Sequence, residues 1–206
     1  MKMEWKKDEK AIYLPKAKPE ILNVPAMRYF VIEGRGNPND EFFADYIAVL
    51  YSLAYAVKMS PKKGLEPEGY KEFSVYPLEG IWDLTEEGRK NKGSLDKDQL
   101  IFRLMIRQPD FVDAAYAYKT IEDVKIRKPN PLLDKAGFEI IEDGRSVQMM
   151  HLGPYDDEPT SFALMKSFCE EHQLERKSMT HREIYISDAR RTAPERLKTV
   201  LRFQIL

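Results

Sequence analysis

The residues best suited to chemistry sit in one short run, His181-Arg182-Glu183-Ile184-Tyr185-Ile186-Ser187. Polar residues and isoleucines alternate there at period two, the pattern of a β-strand whose side chains point to opposite faces. Ile184 and Ile186 are expected on the helix-packed core face, with His181, Glu183, Tyr185 and Ser187 on the other. Such a face has two readings. It is either a wet surface with a solvated carboxylate, or the wall of a groove. In a groove, one carboxylate among aromatic rings can act as a base or hold a cation. Trp82 supports the groove. In FSVYPLEGIW, Phe73 to Trp82, regular alternation places Ser74, Tyr76, Leu78, Gly80 and Trp82 together, a surface suited to a flat organic ligand. The alternative is Trp82 as core packing at a strand end, and Pro77 or Gly80 can reverse the parity through a bulge. Tyr155, in Gly-Pro-Tyr at a strand-to-helix turn, belongs at the groove rim or serves the turn itself.

Other chemistries find less support. His151, His172 and His181 lack metal-ligand spacing, and no HExxH or paired-carboxylate motif occurs. Gly34 to Asn39 begins like a dinucleotide fingerprint, but Asn39 stands where the third glycine belongs and the strands that follow read as antiparallel. No G-x-S-x-G elbow is present. Cys169, the single cysteine, falls on an apolar helical face and reads as a small core residue, which also excludes an internal disulfide. Neither metal nor organic cofactor is expected.

The elements that must carry these residues follow from periodicity. Residues 1–25 are charged and proline-punctuated, an extended arm anchored by Trp5, Tyr13 and Leu14. MRYFVIE, Met27 to Glu33, is a strand closed by the turn formers of Gly34 to Asn39. Asp40 can cap a helix reaching Val57, in which Phe43, Tyr46, Ile47, Leu50, Leu53, Ala54 and Val57 recur at helical spacing. Lys58 to Gly69 is a loop. Strands are expected over 72–83 and 99–107, joined by a polar hairpin connection whose Lys/Glu-rich part, Glu86 to Asp98, is a solvated loop. Asp110 can cap a helix over 111–125, and Ile126 to Asp134 (IRKPNPLLD) is the best linker candidate. The order then recurs: a strand at 146–152, a turn at Gly153 to Pro159, a helix at 160–173 with Phe162, Met165, Phe168 and Cys169 on one face, and strands at 180–187 and 197–206.

Three short matches keep the same order in both halves. VIEG (31–34) stands opposite MHLG (150–153), SVYP (74–77) opposite EIYI (183–186), and LIFRLMI (100–106) opposite TVLRFQI (199–205), with Arg103 matching Arg202. Tyr76 would then correspond to Tyr185. A duplication implies an α+β fold of tandem βαββ repeats with pseudo-two-fold symmetry. Its antiparallel sheets would carry helices on one face and a ligand groove on the other. The expected organisation is one domain over 1–206: arm 1–25, first repeat 26–125, linker 126–145, second repeat 146–206. With 33 Lys and Arg against 34 Asp and Glu, the formal charge is −1, which argues against direct nucleic-acid binding. No apolar run approaches the ~20 residues of a membrane span, and the start, MKMEWKKDEK, has no leader-like apolar stretch. A cytoplasmic protein without a membrane partner is expected, as monomer or homodimer.

The chain resembles the GyrI-like small-molecule-binding family along nearly its whole length. The resemblance is carried by KKDEKAIYLPKAKPEILNVPAM, LYSLAYAVKM, YPLEGIWDL and LMIRQPDFV, and above all by MHLGPYDDEP, HREIYISDARR and KTVLRF. It implies two βαββ repeats around a ligand groove. In multidrug-sensing members a groove carboxylate, which maps onto Glu183, receives cationic aromatic compounds. The resemblance also reaches a stand-alone branch of cyclopropanoid cyclopropyl hydrolases, metal-independent enzymes that open spirocyclopropyl DNA-alkylating natural products by adding water. It implies Glu183 and Tyr185 as catalytic residues. Trp82, Tyr76, Tyr155 and His181 are the ligand-binding candidates for a small aromatic or cyclopropane-bearing compound. The departure is the lack of a helix-turn-helix segment.

Overall fold

In the computed structural model of the chain, residues 2–90 and 95–206 are described. Two one-turn helices, α1 (Trp5–Asp8) and α2 (Lys10–Tyr13), precede strand β1 (Glu20–Val24), so the expected extended arm is structured instead. Trp5 and Tyr13 are its buried anchors, their rings 5.3 Å apart; Leu14 is only half-buried. Strand β2 (Met27–Arg35) continues through Gly34, and helix α3 spans Phe42–Lys58. Its buried Tyr46, Val49, Leu50, Leu53, Ala54 and Val57 recur at three- and four-residue spacing, and Pro61 follows its end. Asp40 contributes only its carbonyl, which accepts from the Phe43 N–H, because the helix starts after Glu41.

Strand β3 (Leu78–Leu84) is shorter than expected and leaves Tyr76 outside it; a short helix, α4 (Glu86–Lys90), opens the connection to β4 (Leu100–Gln108). The rest of the expected solvated loop includes residues 91–94, outside the described residues. Helix α5 (Ala114–Arg127) is capped by Asp113, whose side chain accepts from the Tyr116 N–H at 2.8 Å; Asp110 is not the cap because Pro109 to Val112 closes a turn first. The expected linker 126–145 contains a 3-10 turn, Pro131–Lys135, and a strand, β5 (Gly137–Ile141). Strand β6 (Gly144–Leu152), helix α6 (Glu158–Glu171), β7 (His181–Tyr185) and β8 (Lys198–Gln204) complete the chain.

The fold is α+β, and the chain divides into two compact units. One comprises Met27–Ile141 with the chain start through Met3; the other joins Glu4–Ala26 to Glu142–Leu206. In the first, an antiparallel sheet of order β3-β4-β2-β5 packs α3 on one face. In the second, the order is β7-β8-β6-β1, again antiparallel, with α6 on one face. Each sheet therefore has the second, third and first strand of a βαββ repeat in the same order, followed by a fourth strand. Each fourth strand is the segment preceding the other unit's first: β1 runs into β2 but pairs with β6, and β5 runs into β6 but pairs with β2.

Pairing corrects the register of the repeat. Arg103 stands opposite Glu33, and Arg202 opposite Gln148, so the counterpart of Glu33 is Gln148 rather than Leu152. In the same frame Trp82, opposite Phe102, occupies the place that Glu183 holds opposite Leu201, and the counterpart of Tyr185 is Leu84, not Tyr76. No helix among the described residues is long and apolar enough to cross a membrane.

Candidate functional site

Alternation along β7 does put His181, Glu183 and Tyr185 on one face. Which face is the surprise. Directly opposed residues share a face. Glu183 pairs across to Leu201, and Leu201 to Met149. Those two belong to the core that Met165 and Cys169 of α6 fill, so Glu183 lies on the helix side of its sheet. Ile184 takes the opposite face, in line with Val200 and Met150, correcting its expected place beneath the helix. That second face also carries Arg182, Arg202 and Gln148, all buried. Arg202 and Gln148 donate to the carbonyls of Ile12 and Ala11, so the N-terminal segment covers this face.

Glu183 is 9% exposed and receives a donor on each carboxyl oxygen from its own strand. His181 Nε2 donates to Oε1 at 3.0 Å, and the Tyr185 hydroxyl donates to Oε2 at 2.8 Å. Glu158, the first residue of α6 and 7% exposed, lies over Glu183: Phe162, one helical turn further on, meets the ring of His181, and Tyr155 just before it meets Tyr185. Burial, then the negative charge of Glu183 beside it, push the Glu158 carboxyl up to about 9. Its Oε1 is buried with no hydrogen-bond partner. Tyr155 stands edge-to-face on Tyr185, with centroids 5.9 Å apart, and is 38% exposed, the open margin of the cluster. Burial, then the charges of Glu183, Glu158 and Asp188, push its hydroxyl up to about 12. Phe162 of α6 meets the His181 ring edge-to-face at 4.8 Å.

Behind these groups, His151 Nε2 faces the Pro154 carbonyl at 3.0 Å and Nδ1 faces Ser161 Oγ at 2.9 Å. A carbonyl only accepts, so Nε2 carries the proton and Nδ1 accepts from Ser161. His151 thereby ties the strand end to the turn before Tyr155 and to the helix turn after Glu158. Gly153 makes that turn possible, at φ 126°, a conformation closed to side chains other than glycine's hydrogen.

The cluster so unites four of the sequence-derived candidates: Glu183, Tyr185, His181 and Tyr155. Trp82 and Tyr76 belong to the other unit. Trp82 packs against Phe43 and Phe102 at 5.9 and 5.6 Å, on the α3 face and 5% exposed. The β3–β4 register runs unbroken from Leu78 to Leu84, so Gly80 inserts no bulge, and Pro77 precedes the strand. Tyr76 is buried with the Arg107 guanidinium 4.6 Å from its ring centre. Sequence reasoning missed Glu158 and gave His151 no role. An acidic residue just before Pro159 reads as an ordinary helix-start carboxylate, and only the pairing of β7 brings Glu183 beneath it. Among the described residues, no group of three or more His, Cys, Asp and Glu is placed to hold a metal ion. Chemically, the cluster offers a carboxylate steadied by two donors, a second carboxyl with a spare oxygen, and two tyrosine rings.

The family profile for the GyrI-like small molecule binding domain matches residues 17–206. Two Listeria innocua proteins described as hydrolases resemble the chain closely in structure. One is 34% identical with a TM-score of 0.89, covering 99% of this chain and all of its own. The other is 35% identical with a TM-score of 0.90, covering both chains in full. The EcmrR C-terminal domain, 12% identical over 92% of this chain and 97% of its own, shares the fold at a TM-score of 0.56. No curated protein matches the chain.

Proposed function

This chain belongs to the family of GyrI-like small-molecule-binding domains, and from that premise we propose that it is a metal-independent hydrolase. Its substrates would be spirocyclopropyl, DNA-alkylating small molecules, which it detoxifies by adding water across the strained ring. The observation that carries the reading is the Glu183 carboxylate, buried beside tyrosine rings and held by one donor on each oxygen. A base oriented in this way is suited to taking a proton from water, and a positioned base adds ~10²–10⁴-fold to such a step. The description of the two Listeria relatives as hydrolases supports the same class of reaction.

In this reading water's oxygen bonds to the cyclopropane methylene while the ring carbon–carbon bond breaks. The electron pair of that bond moves into the dienone, which becomes a phenol on taking a proton. The water proton passes to Glu183. Tyr185 holds the carboxylate, and Tyr155 and His181 border the ligand. Ring-strain relief and aromatisation drive the step.

The test measures turnover of a spirocyclopropyl cyclohexadienone and binding of its ring-opened phenol on the same samples. Glu183→Gln should lose most turnover and keep the phenol. Full turnover by Glu183→Gln removes the glutamate from the mechanism. The rival reading is a non-catalytic sensor of cationic aromatic compounds, favoured by a buried carboxylate among Tyr155, Tyr185 and Phe162, where cation–π contacts add ~0.5–2 kcal/mol. It requires saturation at one equivalent with no product, and selective loss of cations on Glu183→Gln.

A further inference from the structure

Glu158 lies over Glu183, between the Phe162–His181 and Tyr155–Tyr185 contacts, and two carboxylates have only acceptors to offer one another, so a hydrogen bond between them needs a proton on one. The surroundings decide which. Glu183 already accepts from His181 on one oxygen and from Tyr185 on the other. Glu158 has no such donors, and its Oε1 is buried and unpartnered. The titratable groups that act on it are Glu183 of β7, which His181 and Tyr185 hold, and Tyr155 and Asp156 of the turn, while His151 of β6 reaches the same helix turn through Ser161. No arginine or lysine is among them, and the ring N–H of His181 is turned to Glu183. The proton therefore resides on Glu158. An unsatisfied buried oxygen costs free energy in the empty site, and a ligand donor relieves that cost.

We propose that Glu158 serves the site as a neutral carboxylic acid whose O–H donates to Glu183 and whose Oε1 accepts from the water that Glu183 deprotonates. The inference rests on the hydrolytic reading and adds a second catalytic residue to it. Glu158 gains and loses no proton in the reaction. The water proton moves to Glu183, the water oxygen to the ring methylene, and the phenolate takes its proton from solvent. Two acceptors on one water fix its lone pair toward the substrate. The clamp of His151 on Pro154 and Ser161 holds Glu158 at the required height above the sheet.

The amide of glutamine can donate and accept as a neutral acid does, but cannot titrate. Glu158→Gln should therefore keep most of the native rate with a spirocyclopropyl cyclohexadienone, whereas Glu158→Leu should lose about tenfold or more, with circular dichroism unchanged. The native rate should fall as pH rises through about 9, where Glu158 ionises, and Glu158→Gln should lack that limb. Infrared spectroscopy of the ligand-free protein at neutral pH should show a protonated-carboxyl band that Glu158→Gln abolishes. Absence of that band, or a Glu158→Gln rate as low as that of Glu183→Gln, overturns the proposal. If even the native protein turns nothing over, the hydrolytic reading and the catalytic role fall together. The infrared band then still establishes, or refutes, the neutral state of Glu158.

Discussion

Asp143 joins two buried arginines, and its replacement by asparagine tests how the strand carrying Glu183 is anchored. Its Oδ1 accepts from Arg182 Nη2 at 2.7 Å and its Oδ2 from Arg202 Nη1 at 3.1 Å. Both guanidiniums are almost wholly buried, at 4% and 1% exposure. Burial pushes the Asp143 carboxyl up, but attraction to Arg182 and Arg202, with hydrogen bonds from both, outweighs it and leaves the group below its ordinary 3.8. Asparagine preserves the shape and one acceptor while leaving two buried cations without their counter-charge. Removing one partner of a buried ion pair costs ~3–5 kcal/mol. Arg202 keeps Gln148 Oε1 and the Ile12 carbonyl as neutral acceptors, which offsets part of its loss. A net loss near the lower end of that range, about 3 kcal/mol, is therefore expected. Against a typical total of ~5–15 kcal/mol this is a large fraction.

Urea unfolding at neutral pH, followed by Trp5 fluorescence in a Trp82→Phe background, reads the effect in the unit that contains Asp143. A depressed carboxyl contributes stability that is present above its unfolded value and lost as pH falls through the lower folded value. The native protein should therefore weaken below about pH 4, the ordinary range of a free aspartate. The Asp143→Asn variant should lack that component of the acid loss. A destabilisation under ~1 kcal/mol, in the range of an exposed pair, together with an unchanged acid limb, would refute the reasoning. It would mean that Gln148 and the backbone carbonyls suffice for both guanidiniums.

Tyr185→Phe removes the donor to Glu183 Oε2 while keeping the ring against Tyr155, so a several-fold drop in turnover of the dienone, corresponding to ~1 kcal/mol, is expected with phenol binding preserved. Gly34→Ala would drive a Cβ into the Phe102 ring and set it 2.9 Å from Tyr46 Cε1. Ring displacement there should cost ~1–3 kcal/mol in thermal unfolding and shift the Trp82 emission, since Trp82 packs on Phe102. Met165→Ala opens a cavity in the core beneath α6, where Met165 is fully buried. A loss of ~2–5 kcal/mol in urea unfolding is expected, and a loss under ~1 kcal/mol would show that the helix collapses onto the sheet.

The grouping of His181, Glu183 and Tyr185 was legible in seven residues because strand side chains alternate with period two wherever the strand is placed. Helix α3 was legible for a similar reason: its apolar stripe at three- and four-residue spacing needs no partner to be recognised. The recurrence of βαββ order was legible too, yet its register was not, since matches four residues long survive small slips that backbone pairing does not. Strands β1 and β5 are five residues each and interrupted by turn formers on either side, and what makes them strands is a partner more than a hundred residues away for β1 and in the preceding repeat for β5. Tertiary structure alone decided which face α6 covers. Residues on both faces of β7 are buried, Glu183 on the side of α6 and Arg182 and Ile184 on the other. A period-two pattern with Arg182 and Ile184 on one side and Glu183 on the other therefore has no wet side to betray its orientation. Glu158 entered the site by the same route. Its chemistry comes from lying over a carboxylate twenty-five positions along the chain, and the proximity of two carboxyls in space is not encoded in the local sequence around either.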